Sequence, residues 1–198
     1  MTRLPVLLLL TATTAAAVVP KFFFLGFTHI LPHGPDHILF ILALFFLSRG
    51  FGVLLFQMTL FTLAHSLTLG LSLHGLVGAP SSLVEVAIAL SIAFIAVENI
   101  FHDRLSRWRP WLVFVFGLVH GLGFAHSFRG MQPDRTDFLP ALFSFNMGIE
   151  IGQLAVLGIA WIAVAAWTRR GKCFREIARP ASAAIALTGF CWAVVRAV

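Results

Sequence analysis

Residues 52–74 read GVLLFQMTLFTLAHSLTLGLSLH, without one Asp, Glu, Lys or Arg. A helix rises about 1.5 Å per residue and the hydrocarbon core of a bilayer is about 30 Å thick, so about 20 apolar residues cross it. Further apolar runs occupy residues 82–101, 110–128, 138–167 and 181–198. In lipid every backbone N–H and C=O must be satisfied within the protein, and uninterrupted runs of this length do so as helices. Two shorter runs, 22–31 and 36–48, flank Pro32 and Pro35. Neither crosses alone, and each proline lacks a backbone donor, so together they predict a broken or re-entrant helix near residues 22–48. The expected fold class is an all-α, polytopic membrane helix bundle of six to seven spans.

Charge usage agrees. Only 11% of the 198 residues are charged, against about 25% in soluble domains. The net charge of +6 invites a nucleic-acid reading, but the basic residues sit in short loops between apolar runs, which is a topology signal. We therefore expect a lipid bilayer as the surrounding partner and no nucleic acid. Nine basic residues fall in one alternate set of loops: Arg49, then Arg104, Arg107 and Arg109, then Arg169, Arg170, Lys172, Arg175 and Arg179. The other set holds two, Arg129 and Arg135. The positive-inside rule puts the nine in the cytoplasm, and so puts residues 29–37 and the C-terminus outside. Residues 1–19, MTRLPVLLLLTATTAAAVV, fit a signal peptide cleaved near Ala17 or a first span. Residues 20–198 then form a single transmembrane domain. Cys173 and Cys191 have no partner at metal or redox spacing, and both read as structural.

The densest group of ligand-type side chains is HILPHGPDH, residues 29–37. It contains His29, His33, Asp36 and His37, on a segment that its prolines keep from being one continuous helix. Other ionisable or amide groups lie within the apolar runs: His65, Glu85, Glu98, His120, His126, Asn146 and Glu150. An ionisable group at bilayer depth costs a few kcal/mol or more, so each one is a site candidate. Counting about 1.5 Å per residue, His65 and His120 lie about 20 and 15 Å from the basic-loop end. Asn146 and Glu150 lie about 12 and 18 Å down from the opposite face. Glu98 alone lies near the basic loops, where Arg104 or Arg107 is its expected partner. Imidazole and carboxylate together suit borderline divalent metals such as nickel, cobalt and zinc. The primary metal candidates are His29, His33, Asp36, His37, His65, His120 and Glu150, with Glu85, His126 and Asn146 as secondary ones. Too few basic residues lie in the runs to neutralise these groups, so a shared divalent ion is the expected solution.

Plainer readings apply elsewhere. His74 ends a run and reads as interfacial, and His102 reads as a solvated loop residue. Thr62 and Ser66 read as bonding their own helix backbone. Gly117, Gly121, Gly148 and Gly152 form small-xxx-small pairs, which serve close helix packing.

Five segments in order, GFTHILPHGPDHILF, FTLAHSLTL, VEVAIALSIAFIAVEN, FGLVHGLGFAHS and FNMGIEIGQLAV, resemble the HupE/UreJ family of bacterial membrane proteins. The likeness runs from about Phe22 to Ala165. It is greater to the branch whose members often carry an extracytoplasmic N-terminal region, expected here to be missing or reduced to about the first twenty residues. The resemblance implies a bacterial inner-membrane location and uptake of nickel or cobalt. It carries the family's His-rich motif onto His29, Asp36 and His37, with His33 as an addition.

Two mechanisms fit these residues. In a permease, the metal ion is the substrate and passes from His29, Asp36 and His37 to His65 and His120, then to Glu150. In an intramembrane zinc hydrolase, His37, His65 and His120 hold Zn²⁺ with a fourth position for water, and Asp36 or Glu150 is the base. A metal sensor or metalloenzyme assembly factor is a third class.

Overall fold

The computed structural model describes residues 18–48, 50–102, 104–128, 136–171 and 173–198, except the side chains of 126–128. The described residues form seven helices: α1 (Val18–Ile30), α2 (Pro35–Leu47), α3 (Phe51–Leu73), α4 (Ser81–Phe101), α5 (Arg109–Phe128), α6 (Phe138–Thr168) and α7 (Phe174–Ala197). By length and composition α3, α4, α6 and α7 can each cross a membrane. Helices α1 and α2 pass the same test only as a pair, bent by 66° at the break between them. The chain is thus a polytopic membrane helix bundle containing a broken helix. The leader or first span expected within residues 1–19 lies almost wholly outside the described residues.

The break is built as the prolines predict. Pro32 has no N–H to continue α1, and the chain turns through bonds from the His33 and Gly34 amides to the Thr28 and Ile30 carbonyls, both 3.2 Å. Pro35 then opens α2 at a position where a missing N–H has no helical partner to lose. The half-length helix α2 sits at the centre of the bundle and touches α3, α4, α6 and α7. Its first turn therefore points into the interior at one end of the bundle.

The glycine pairs bring backbones together. A Cβ on Gly117 or Gly121 of α5 would collide with the Phe61 and His65 carbonyls of α3. On Gly148 of α6 it would strike the Phe23 carbonyl of α1. Removal of the side chain is what lets van der Waals contact hold α3 to α5 and α1 to α6 where lipid supplies no hydrophobic drive. Leu63, Phe94, Phe143 and Ile162 point outward, as apolar side chains do when the surroundings are acyl chains.

Two expectations are corrected. The last apolar run begins at 181, but α7 begins at Phe174 and carries Pro180 inside it. Its first two turns are basic and mostly exposed, so a polar, solvated helix end continues into the apolar part. Glu98 pairs with Arg109 rather than Arg104 or Arg107, at 2.8 Å. Arg109 opens α5 facing the end of α4 and is fully buried, whereas Arg104 and Arg107 are exposed.

Candidate metal site

Three helices deliver one imidazole each to a common point. His29 stands in the last turn of α1, His37 in the first turn of α2 and His65 in α3. The break between α1 and α2 folds His29 back over His37, with ring centroids 4.6 Å apart. His65 lies 5.7 Å from His29 and 5.8 Å from His37 by the same measure. One ligand nitrogen from each of the three lies within 4.8 Å of the others. Bonds of about 2.0–2.1 Å at tetrahedral angles would place such atoms about 3.3 Å apart, so the set is near ligation spacing.

His37 and His65 are buried and His29 partly so. His29 Nε2, His37 Nε2 and both ring nitrogens of His65 have no hydrogen-bond partner. Buried polar atoms without partners cost about 1–3 kcal/mol each, and three imidazoles that bring one ligand nitrogen each to a common point are a donor set in need of an acceptor of lone pairs. Phe61 and Phe124 wall the group, Phe124 at 3.8 Å from His29 and Phe61 at 5.9 Å from His37.

His120 of α5 stands one ring further in, 5.2 Å from His37. Its Nε2 lies 3.1 Å from Ser91 Oγ. The Ser91 hydroxyl can donate to the Ile88 carbonyl, 2.7 Å away. With that donation made, Ser91 is free to accept from His120 Nε2, which leaves the ring's lone pair on Nδ1, an atom with no partner. Donation of one ring N–H to a fixed oxygen is how metal-binding imidazoles are oriented. Sequence reading did not single out Ser91; a lone hydroxyl in the centre of the apolar run ALSIAF was the available signal.

A cavity of about 210 Å³ connects this group to the surface. His33 and Glu85 are exposed at its rim, and His37 and His120 form its floor. Asp36 also lines it but is not left without a counter-charge. Arg196, in the last turn of α7, approaches its two carboxylate oxygens at 3.0 and 3.2 Å. The expectation that too few basic residues would be at hand to neutralise the buried acids fails for Asp36. The same contact places residues 29–37 and the C-terminal end of α7 on one face of the bundle.

Glu150 does not join the imidazoles. It lies partly buried on α6 against Thr59 and Thr62 of α3. Thr62 in turn donates to Gln153 at 3.4 Å. Three residues separate His65 from Thr62, about 4.5 Å along the helix. Asn146 lies 2.5 Å from Ser66, whose hydroxyl also bonds its own helix at the Thr62 carbonyl, 2.7 Å. The His126 side chain is outside the described residues. His74 is exposed and bonds the Gly70 carbonyl of its own helix at 2.9 Å, and His102 is exposed.

No curated protein and no solved structure matches the chain. The family model described as HupE / UreJ protein matches residues 8–196, nearly its whole length. That match, on a broken-helix membrane bundle with histidines at the break, shows that the chain belongs to the HupE/UreJ family.

Proposed function

We propose that this protein is a permease for a divalent transition-metal ion, with nickel or cobalt ahead of zinc as cargo. One observation carries the reading: His29, His37 and His65 converge from three helices with their ligand nitrogens unpartnered. All-nitrogen donors favour nickel, cobalt, copper or zinc over magnesium or calcium. The family association with nickel and cobalt narrows the choice. The path runs from the rim at His33 and Glu85 through the imidazoles, with Glu150, Thr59 and Thr62 as the next polar station. A permease needs sites that release as well as bind, and separated stations meet that need better than a closed cage. The hydrolase reading is less well supported: Asp36 is paired with Arg196 and Glu150 lies off the cavity, so neither carboxylate is poised as a base.

The membrane in question is the bacterial inner membrane, with residues 29–37 and the C-terminus outside. In a Cys191→Ser background, Cys173, which is exposed, should react with a membrane-impermeant maleimide only after the cells are opened. Labelling of intact cells reverses the orientation.

Transport is tested in proteoliposomes. Ni²⁺ or Co²⁺ should accumulate in vesicles containing the protein and not in empty ones. Uptake should fall as the pH on the entry side is lowered, because protons compete with metal for imidazole lone pairs. Bound metal without accumulation would point to a sensor or assembly factor, and no metal handling at all would remove the reading.

A further inference from the structure

The mouth of the cavity holds a cation already. Arg196 spans it, with one guanidinium nitrogen on both oxygens of Asp36 and the other donating to the Glu85 carbonyl at 3.3 Å. Behind it, the Trp192 ring lies 5.1 Å from the guanidinium carbon. Asp36 precedes His37 directly, and both line the cavity with His29 and His120. The cavity carboxylate directly beside His37 in the chain is therefore occupied by a charge tethered to α7.

We infer that Arg196 is an exchangeable gate: an entering divalent ion takes its place on Asp36, and the released guanidinium stays held over the Trp192 ring that it already faces. This rests on the metal reading above and adds to it the residue that controls entry. The exchange keeps the Asp36 carboxylate paired with a cation in both states, so neither state leaves a bare charge at the mouth. Helix ends favour the closed state as well. Asp36 lies in the first turn of α2 and Arg196 in the last turn of α7, where the partial charges of the backbone favour an anion and a cation respectively. The side chains remain 23% and 21% exposed. A solvent-accessible pair of this kind can open, whereas the fully buried Arg109 cannot follow the same course.

An internal competitor lowers apparent affinity by the fraction of time that it leaves the site open. Arg196→Gln should therefore tighten Co²⁺ binding to the purified full-length protein about tenfold, read by calorimetry and by the visible absorption of bound Co²⁺. Arg196→Lys, which keeps the competing charge, should stay close to the parent. Asp36→Asn should weaken binding, and adding Arg196→Gln to it should change nothing more, because the seat for which the two cations compete is gone. An equal gain in the Asp36→Asn background would show simple repulsion at a distance and overturn the exchange. So would unchanged or weaker binding by Arg196→Gln.

The unmutated protein supplies an independent measurement. Modification of Arg196 by phenylglyoxal, followed by mass spectrometry, should accelerate severalfold when Co²⁺ is added. No change, or protection, overturns the gate. If the parent binds Co²⁺ but fails these tests, only the gate is lost; if the parent binds no metal, the metal reading falls and the gate with it.

Discussion

Replacing His65 by Leu should abolish metal binding and leave the metal-free protein as stable as the parent, or more so. The two halves of this result have one cause. His65 is buried, both its ring nitrogens lack partners, and it makes no other polar contact that would repay its burial. Each unsatisfied buried polar atom costs about 1–3 kcal/mol. A leucine of similar volume removes that cost, and site residues held at the expense of stability behave this way. Loss of an orienting partner alone lowers metal affinity about 10–100-fold, so loss of a ligand should lower it by about 100-fold or more. His102→Ala, in an exposed loop, should bind like the parent. Ser91→Ala should fall between them, about tenfold down, because His120 would lose the oxygen that holds its ring in place. Metal content by mass spectrometry and thermal unfolding in detergent measure the two halves. If His65→Leu retains metal, His65 is a core residue. If it loses both metal and stability, the histidine holds the bundle together and the argument from unpaired nitrogens fails.

How these residues meet explains what sequence could and could not tell. The break at Pro32 and Pro35 was legible because proline removes a donor wherever it stands. The levels of His65 and His120 along their helices were legible because helix rise is constant. Azimuth was not. In a lipid-bound bundle both the inward and the outward faces of a helix are apolar, so periodicity does not say which way a side chain turns. For this reason Glu150, at about the right depth, could be ranked with the imidazoles although it faces Thr59 and Thr62 instead. For the same reason Asp36 could look unpaired. Its partner Arg196 is 160 positions away, on a helix whose contact with the cavity mouth no local pattern encodes. The glycines were the exception. Absence of a side chain makes sense in an apolar helix chiefly where another backbone approaches, and Gly121 and Gly148 are found at such approaches.

Arg109 shows what a fixed buried charge demands, and its removal should be the most destabilising single change in the bundle. The guanidinium is fully buried and donates to Glu98 at 2.8 Å. Longer bonds of 3.4 Å reach Asn99, Gln57 and the Ala43 carbonyl, so one side chain ties together α2, α3, α4 and α5. Asn99 also donates to the Ala43 carbonyl at 2.7 Å and to Ser182 of α7 at 3.2 Å. Arg109→Met would leave the Glu98 carboxylate, 9% exposed, without its counter-charge. Breaking a buried pair from one side costs about 3–5 kcal/mol, whereas replacing both partners with apolar groups is often neutral. Arg109→Met and Glu98→Leu should therefore each unfold at markedly lower temperature or denaturant than the parent, and the double variant should recover most of the loss. That recovery separates an unpaired charge from a general packing defect. If the double variant is as unstable as the sum of the single ones, the remaining bonds of Arg109 to Asn99, Gln57 and Ala43 hold the four helices, and the ion pair is secondary.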